Sequence, residues 1–214
     1  MVTEWERLRR HLGDLLEELG VPLRVEVFWD RLWSYLVRLA EKAEELHLTA
    51  CRTLEERLET QVLESLVLAH LLPPGGYTVA DLGSGGGVPG LILKIARPEL
   101  EVVLYEAHPP RVAFLKGLIA ELGLSGARAE RRFLGREGWP EARFPVVVSR
   151  GYGSAEKFAA QAARLLSPPG LAFYLWRNEV EPRGEPERYL RLLQEVSLVL
   201  PRGRGERRLL IFAG

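Results

Sequence analysis

Apolar positions follow two different rhythms along this chain, and the change comes near residue 73. In residues 4–19, Trp5, Leu8, Leu12, Leu15, Leu16 and Leu19 recur at helical spacing, and Gly20 ends the run. A second helix is predicted after Val21-Pro22, with Phe28, Leu32, Leu36, Leu39, Ala43 and Leu46 on one stripe. Trp29, Trp33 and Val37 widen that stripe, which predicts burial on two sides. The pattern breaks at His47-Leu48-Thr49-Ala50. Thr53 and Glu56 then have capping-box spacing for a third helix, with Leu54, Leu58, Val62, Leu66 and Ala69 on its apolar face. Pro73-Pro74-Gly75-Gly76 terminates it.

From Tyr77 onward, short apolar runs alternate with helical patterns, the mark of an α/β sheet. The first strand is predicted over Tyr77–Leu82 and the second over Glu101–Glu106; a helix of about two turns, ending at Ala96, lies between them. A helix entered through His108-Pro109-Pro110-Arg111 places Pro110 at the first helical position, with Val112, Leu115, Leu118, Ile119 and Leu122 inward. Ala127–Phe133 reads as a partly polar strand toward an edge. Phe144–Ser149 is a β-branched run suited to a central parallel strand buried on both faces. Ser154–Leu166 reads as a helix, Leu171–Trp176 as a fifth strand and Pro186–Glu195 as another helix. Ser197–Leu200 and Arg207–Ala213 are two closing strands joined by the polar stretch PRGRGE. The expected organisation is a helical cap, residues 1–72, on a sheet domain, residues 73–214.

A length of 214 residues suffices for a full core. The single Cys51 excludes an internal disulfide, and His11, His47, His70 and His108 show no metal spacing, so no metal is expected. His47 and His70 read as ordinary cap residues. No apolar run is long enough to span a bilayer and no signal-peptide core opens the chain, so the expectation is a cytoplasmic protein without membrane contact. The net charge of zero hides an asymmetry: residues 1–72 sum to −5 and residues 73–214 to +5. A basic back half suits a polyanionic partner, and equally suits solvated faces of opposite sign.

The densest chemical signal is YTVADLGSGGGVPGLIL, residues 77–93. A strand that runs into a glycine turn and then a helix start makes a ligand crevice at the carboxyl edge of a sheet. Gly85, Gly87 and Gly90 fit the dinucleotide pattern G-x-G-x-x-G, which gives Asp81 no role. Asp81, Gly83, Gly85 and Gly87 fit the alternative D-x-G-x-G-x-G, with an acid at the strand end and the loop's glycine N–H groups facing a methionine carboxylate, Ser84 lying in the same loop. Glu106 ends the second strand, where an acid can accept both ribose hydroxyls of a nucleoside. Its neighbours Ala107 and His108 lie at the rim of the same crevice. Seven strands, the last two joined by a tight turn, suit a methyltransferase sheet and the second register.

DLGSGGGVPG, IARPELE, the acid ending the second strand, RVAFL, VVSR and the final GERRLLIF together resemble the glucose-inhibited division protein B family. That family comprises bacterial methyltransferases acting on a guanine N7 of small-subunit ribosomal RNA. The resemblance runs from about Leu32 to the C-terminus. It implies a Rossmann-like class I methyltransferase fold, S-adenosylmethionine as cofactor, ribosomal RNA or the small subunit as partner, and a monomer. Carried over by position, Gly83 and Val88 line the cofactor, Glu106 holds its ribose, and Arg150 closes the site as the candidate catalytic residue. The family's valine–glutamate pair beside the adenine falls at Phe133-Leu134, where the acid is missing.

Other departures concentrate on the acceptor side. The family's Asn-Leu-Thr is His47-Leu48-Thr49, its His-x-Leu-Asp-Ser is Gln61-Val62-Leu63-Glu64-Ser65, and its Ser-Arg-Ala-Phe is Ser149-Arg150-Gly151-Tyr152. The lysine–glycine after the fifth strand is Trp176-Arg177. A diverged member with another acceptor, or a binding protein that keeps the fold without efficient transfer, are the alternatives. Guanine N7 offers a lone pair and no proton, so its methylation needs alignment more than a strong base. Arg150 is expected at guanine O6, the cofactor or a phosphate, because an arginine on N7 would block transfer. Arg111, Arg128, Arg131, Arg132 and Arg177 are candidate RNA-backbone contacts, Trp176 and Tyr152 candidate base-stacking groups, and His108 a candidate adenine-edge contact.

Overall fold

In the computed structural model, which describes residues 3–22, 27–176 and 183–214, three helical segments precede the first strand. Helix α1 (Glu4–Glu18) begins with a complete capping box between Thr3 and Glu6, a signal at the third residue that the apolar spacing did not carry. Gly20 closes it at φ +66, and the Val21 N–H donates to Leu16 O at 2.8 Å, a Schellman stop. Helix α2 (Val27–Lys42) buries Phe28, Leu32, Tyr35, Leu36 and Leu39, while Trp29, Trp33 and Val37 are half-buried. Trp5 of α1 stacks on Trp33 at 4.9 Å and meets Trp29 edge-on, so the aromatic stripe is helix–helix packing.

The third helix is continuous but not uniform. It comprises α3 (Leu54–Arg57), a π-helical turn over Leu58–Val62 and α4 (Leu63–Leu71). Thr53 accepts from the Glu56 N–H as expected, but the Glu56 carboxylate turns to the Arg52 N–H instead of completing the box. The wider π turn presents a different set of side chains to the interior than a 3.6-residue period does. Arg57, Glu59, Thr60, Gln61, Glu64 and Ser65 are all buried here.

Strands β1 (Thr78–Leu82), β2 (Glu101–Glu106), β3 (Ala127–Arg131), β4 (Phe144–Arg150), β5 (Leu166–Trp176), β6 (Arg191–Val199) and β7 (Glu206–Ala213) form one sheet in the order β3-β2-β1-β4-β5-β7-β6. The first five are parallel, and β7 pairs antiparallel with both β5 and β6. β3 lies at the edge and β4 in the middle, as their polarity predicted. Helices α5 (Gly90–Ala96), α6 (Pro109–Glu121) and α7 (Ala155–Leu165) connect the parallel strands. Pro109, not Pro110, takes the first helical position of α6, with His108 as N-cap.

Side chains alternate across the sheet: Val79, Val102, Leu104, Val146 and Val148 join α1, α2, α4, α5 and α6 in one core. Ala80, Val103, Tyr105, Val147 and Tyr174 join α7 in the other. The helices before β1 therefore share the larger core with the sheet.

Pro186–Glu195 is not a helix. Only Pro186–Arg188 turns, as a 3-10 segment, and β6 begins at Arg191. Leu192, Val196 and Leu198 face inward across a bulge between Leu192 and Gln194, which masks the two-residue period. Pairing with β7 supplies what local spacing could not, and β6 runs from Arg191 instead of Ser197. β5 also starts early, with Leu166 opposite Phe144.

Candidate active site

The glycine loop lies between β1 and α5 at the carboxyl edge of the sheet, beside the point where the strand order reverses between β1 and β4. Gly83 and Ser84 donate their N–H groups to Tyr105 O, and the Ser84 hydroxyl donates to Asp81 O at 3.1 Å. Gly87 and Val88 both donate back to Ser84 O. Gly83 at φ +71 and Gly87 at φ +95 occupy the left-handed region, and a Cβ at Gly83 would meet the Tyr152 ring at 2.4 Å.

The two readings of the glycines converge on one contact. The Gly90 N–H donates to Asp81 Oδ2 at 3.1 Å, so the strand-end acid caps the helix that the last glycine opens. A Cβ at Gly90 would lie 2.6 Å from that oxygen and 2.4 Å from Leu104. Asp81 Oδ1 is buried and has no partner. Burial pushes the Asp81 pKa up to about 7, against the lowering effect of Ser84 and the Gly90 N–H.

Glu106 faces the loop from the end of β2. Its Oε2 accepts the Gly85 N–H and its Oε1 the His108 N–H, both at 2.9 Å, which fixes the carboxylate and leaves lone pairs toward the crevice. The crevice itself is a cavity of about 290 Å³. Of the residues singled out by sequence, Gly83, Glu106, Ala107, Phe133 and Leu134 line it; so do His108, Arg111, Arg132 and Tyr152. Asp81, Ser84, Gly85, Gly87 and Val88 build the loop around it.

Arg150 lies at the end of β4, as expected, but its guanidinium turns away from this cavity. Its Nε donates to Glu64 Oε2 of α4 at 2.5 Å, and Arg207 Nε of β7 donates to Glu64 Oε1 at 2.8 Å. Glu64 is fully buried, and its carboxylate joins three elements that periodicity kept separate. Tyr35 is a second group that spacing missed: its buried hydroxyl donates to Gly86 O at 3.0 Å, while Leu39 and Leu48 pack beneath Gly86. The only advance signal for Glu64 was its place in the family's acidic position; Tyr35 had none.

The candidate RNA contacts separate by their partners. Arg128 pairs with Glu130 and Arg131 with Glu137. Arg111 donates to Leu46 O and His47 O, clamping the turn after α2, where His47 adopts φ +49. Trp176 is buried at the end of β5, so it is no base-stacking platform. Arg177 lies outside the described residues. His47 and His70 are exposed. Gln61 donates from Nε2 to Thr49 Oγ1 at 2.6 Å.

Among the described residues, His11, Glu55 and Glu59 come close enough to share a metal ion. Arg7 and Arg202 pair with Glu55, and Arg202 and Arg204 with Glu59, so arginines already neutralise both carboxylates. Among the described residues, no helix is long and apolar enough to cross a membrane.

Residues 29–209 match the family model described as rRNA small subunit methyltransferase G. The chain is 36% identical over 196 residues to the ribosomal RNA small subunit methyltransferase G of Sorangium cellulosum, covering 90% of this chain and 78% of the relative. It is 31% identical to the protein of the same name from Halorhodospira halophila, covering 92% and 93%. In fold it is similar to a methyltransferase from Pyrococcus furiosus, with a TM-score of 0.59 at 15% identity over 86% of this chain and 98% of that one. A SAM-dependent methyltransferase from Aquifex aeolicus gives 0.58 at 16% identity, over 85% and 98%.

Proposed function

The chain belongs to the rRNA small subunit methyltransferase G family, and from that premise we propose that it transfers a methyl group from S-adenosylmethionine to a guanine N7 of small-subunit ribosomal RNA. The observation that carries the cofactor assignment is the fixed Glu106 carboxylate facing the glycine loop across the crevice.

The residues present fit the cofactor. Glu106 would accept the ribose hydroxyls, Phe133 and Leu134 would bound the adenine, and the close backbone of Gly83 and Gly85 would admit the methionine end. The unpartnered Asp81 Oδ1 suits an ammonium group, which would also hold this raised carboxyl ionised. When bound, the cofactor supplies an electrophilic methyl on a cationic sulfur. The protein's part is alignment. N7 presents an in-plane lone pair with no proton to remove, so the site requires no general base, and holding the base at attack distance is the main requirement.

Arg150, the candidate catalytic residue of the resemblance, is paired with Glu64 and acts by fixing the end of β4 beside the crevice. Residues 1–72 act as a helical cap on the methyltransferase domain, residues 73–214: Tyr35 holds the loop at Gly86 and Glu64 holds Arg150. The protein acts as a cytoplasmic monomer.

Methyl transfer from labelled donor to small-subunit RNA, mapped by nucleotide, tests this directly. The expected result is one guanine modified by the wild type and a loss of at least tenfold in Glu106→Ala, through weaker donor binding. Label on a different base would redirect the acceptor assignment. Donor binding without any transfer to RNA or ribosomal particles would favour a binding role.

A further inference from the structure

The crevice is lined by an unbalanced set of charges. Arg7, Arg38, Arg97, Arg128, Arg131, Arg150, Arg202, Arg204 and Arg207 all have carboxylate partners. The three cations that line the crevice do not. Among the described residues, no carboxylate lies within ion-pair distance of Arg111, Arg132 or Lys157. Arg111 spends its donors on two backbone carbonyls, which leaves its charge uncompensated. Arg132 Nε is buried without a partner. Lys157 holds its ammonium 4.5 Å above the Tyr152 ring, on the aromatic face that another cation would use.

Only one lining residue is acidic. Glu106 opposes three cations, the nearby Glu137 is engaged by the Phe133 N–H and Arg131, and Asp81, outside the lining, answers the ammonium that donor and product share. A charge placed anywhere in a cavity this small lies within about one Debye length, ~10 Å, of all of them.

This imbalance matters because the donor and the product differ by one charge at the reacting atom. S-adenosylmethionine carries a sulfonium; S-adenosylhomocysteine carries a neutral thioether in the same frame. We propose that Arg132 and Lys157 make the crevice discriminate by charge, weakening the sulfonium donor relative to the neutral product until an RNA phosphate seated on these two cations removes the bias. The inference rests on the cofactor reading above. Its consequence is linkage: an anion that cancels the cations favours the donor, and by reciprocity the donor favours the anion. Donor and RNA therefore bind cooperatively, whereas product and RNA do not. Release of methylated RNA returns the crevice to the state that holds the product.

Calorimetry with S-adenosylmethionine and S-adenosylhomocysteine, on the full chain at low and high salt, tests this. In the wild type at low salt the product should bind more tightly than the donor. Lys157→Met with Arg132→Met should move the affinity ratio toward the donor by about threefold to tenfold, the size expected of one or two charges at such range in a wet site. Raising the salt should move the wild type the same way and the double variant little. An RNA fragment of the small subunit should raise donor affinity in the wild type alone. Lys157→Arg keeps the charge and should keep the ratio, while Lys157→Glu should overshoot the effect of Lys157→Met. Variants that bind both ligands with an unchanged, salt-independent ratio would overturn the proposal. A wild type that binds neither ligand would instead overturn the cofactor reading, and this inference with it.

Discussion

The carboxyl group of Asp81 is fully buried, and that burial pushes its pKa up to about 7 although Ser84 and the Gly90 N–H pull the other way. In the unfolded chain an aspartate ionises near ~4. Between these values the folded protein keeps a proton that the unfolded chain has released. Stability therefore falls as pH rises from about 4 to about 7 and is level above that. Asp81→Asn retains an oxygen for the Gly90 N–H and removes the ionisation. Without cofactor, it should exceed the wild type in stability at pH 8 by an amount on the order of 2–4 kcal/mol, and match it near pH 4. Urea denaturation at the two pH values reads this; a gain independent of pH would assign it to packing. The cost should appear as weaker donor binding, the usual exchange at a strained functional position. The sequence made Asp81 and its glycines legible because both lie within one short stretch. It could not show that Gly90 touches Asp81, or that Tyr35 closes on Gly86 from 51 residues away, because neither contact leaves a local pattern.

The composite helix over residues 54–71 shows where element-level reading stops. Its apolar positions were legible: Leu58, Val62 and Leu66 are buried as the spacing predicts. Its polar positions were not, because the π turn rotates Glu59, Thr60 and Gln61 inward and α4 buries Glu64. Glu64 pairs with two guanidiniums from different strands, and removing one member of a buried ion pair leaves charge without compensation. Glu64→Gln should therefore cost about 3 kcal/mol of stability by denaturant titration. Arg207→Met, which leaves the Glu64–Arg150 pair in place, should cost distinctly less. Equal losses would place the energy in packing rather than in the shared carboxylate. β6 failed for the converse reason: its inward residues are separated by a bulge, so only the β7 partner reveals the strand. The central parallel strands β1 and β4 were legible because burial on both faces writes them as largely apolar runs.

At the scale of the molecule, the charge asymmetry between residues 1–72 and 73–214 has an internal use. Glu55, Glu59 and Glu64 of the acidic front pair with Arg202, Arg204, Arg207 and Arg150 of the basic back. Part of what suggested a polyanion partner is thus used in fastening one half to the other, while Arg111, Arg132 and Lys157 at the crevice are left for an external anion. Glu59 is the centre of this fastening. It is fully buried and pairs with His11 of α1 and with Arg202 and Arg204 of the β6–β7 turn. Through one carboxylate the first helix and the last hairpin share a partner, so their local stabilities should be coupled. Glu59→Gln should raise hydrogen exchange in α1 and in the turn at 201–205 together, by about tenfold or more. The glycine loop, held separately by Tyr35 and Glu106, should exchange as in the wild type. Increased exchange in the turn with α1 unchanged would mean that His11 is a bystander and that α1 is fastened by the apolar core and the Arg7–Glu55 pair.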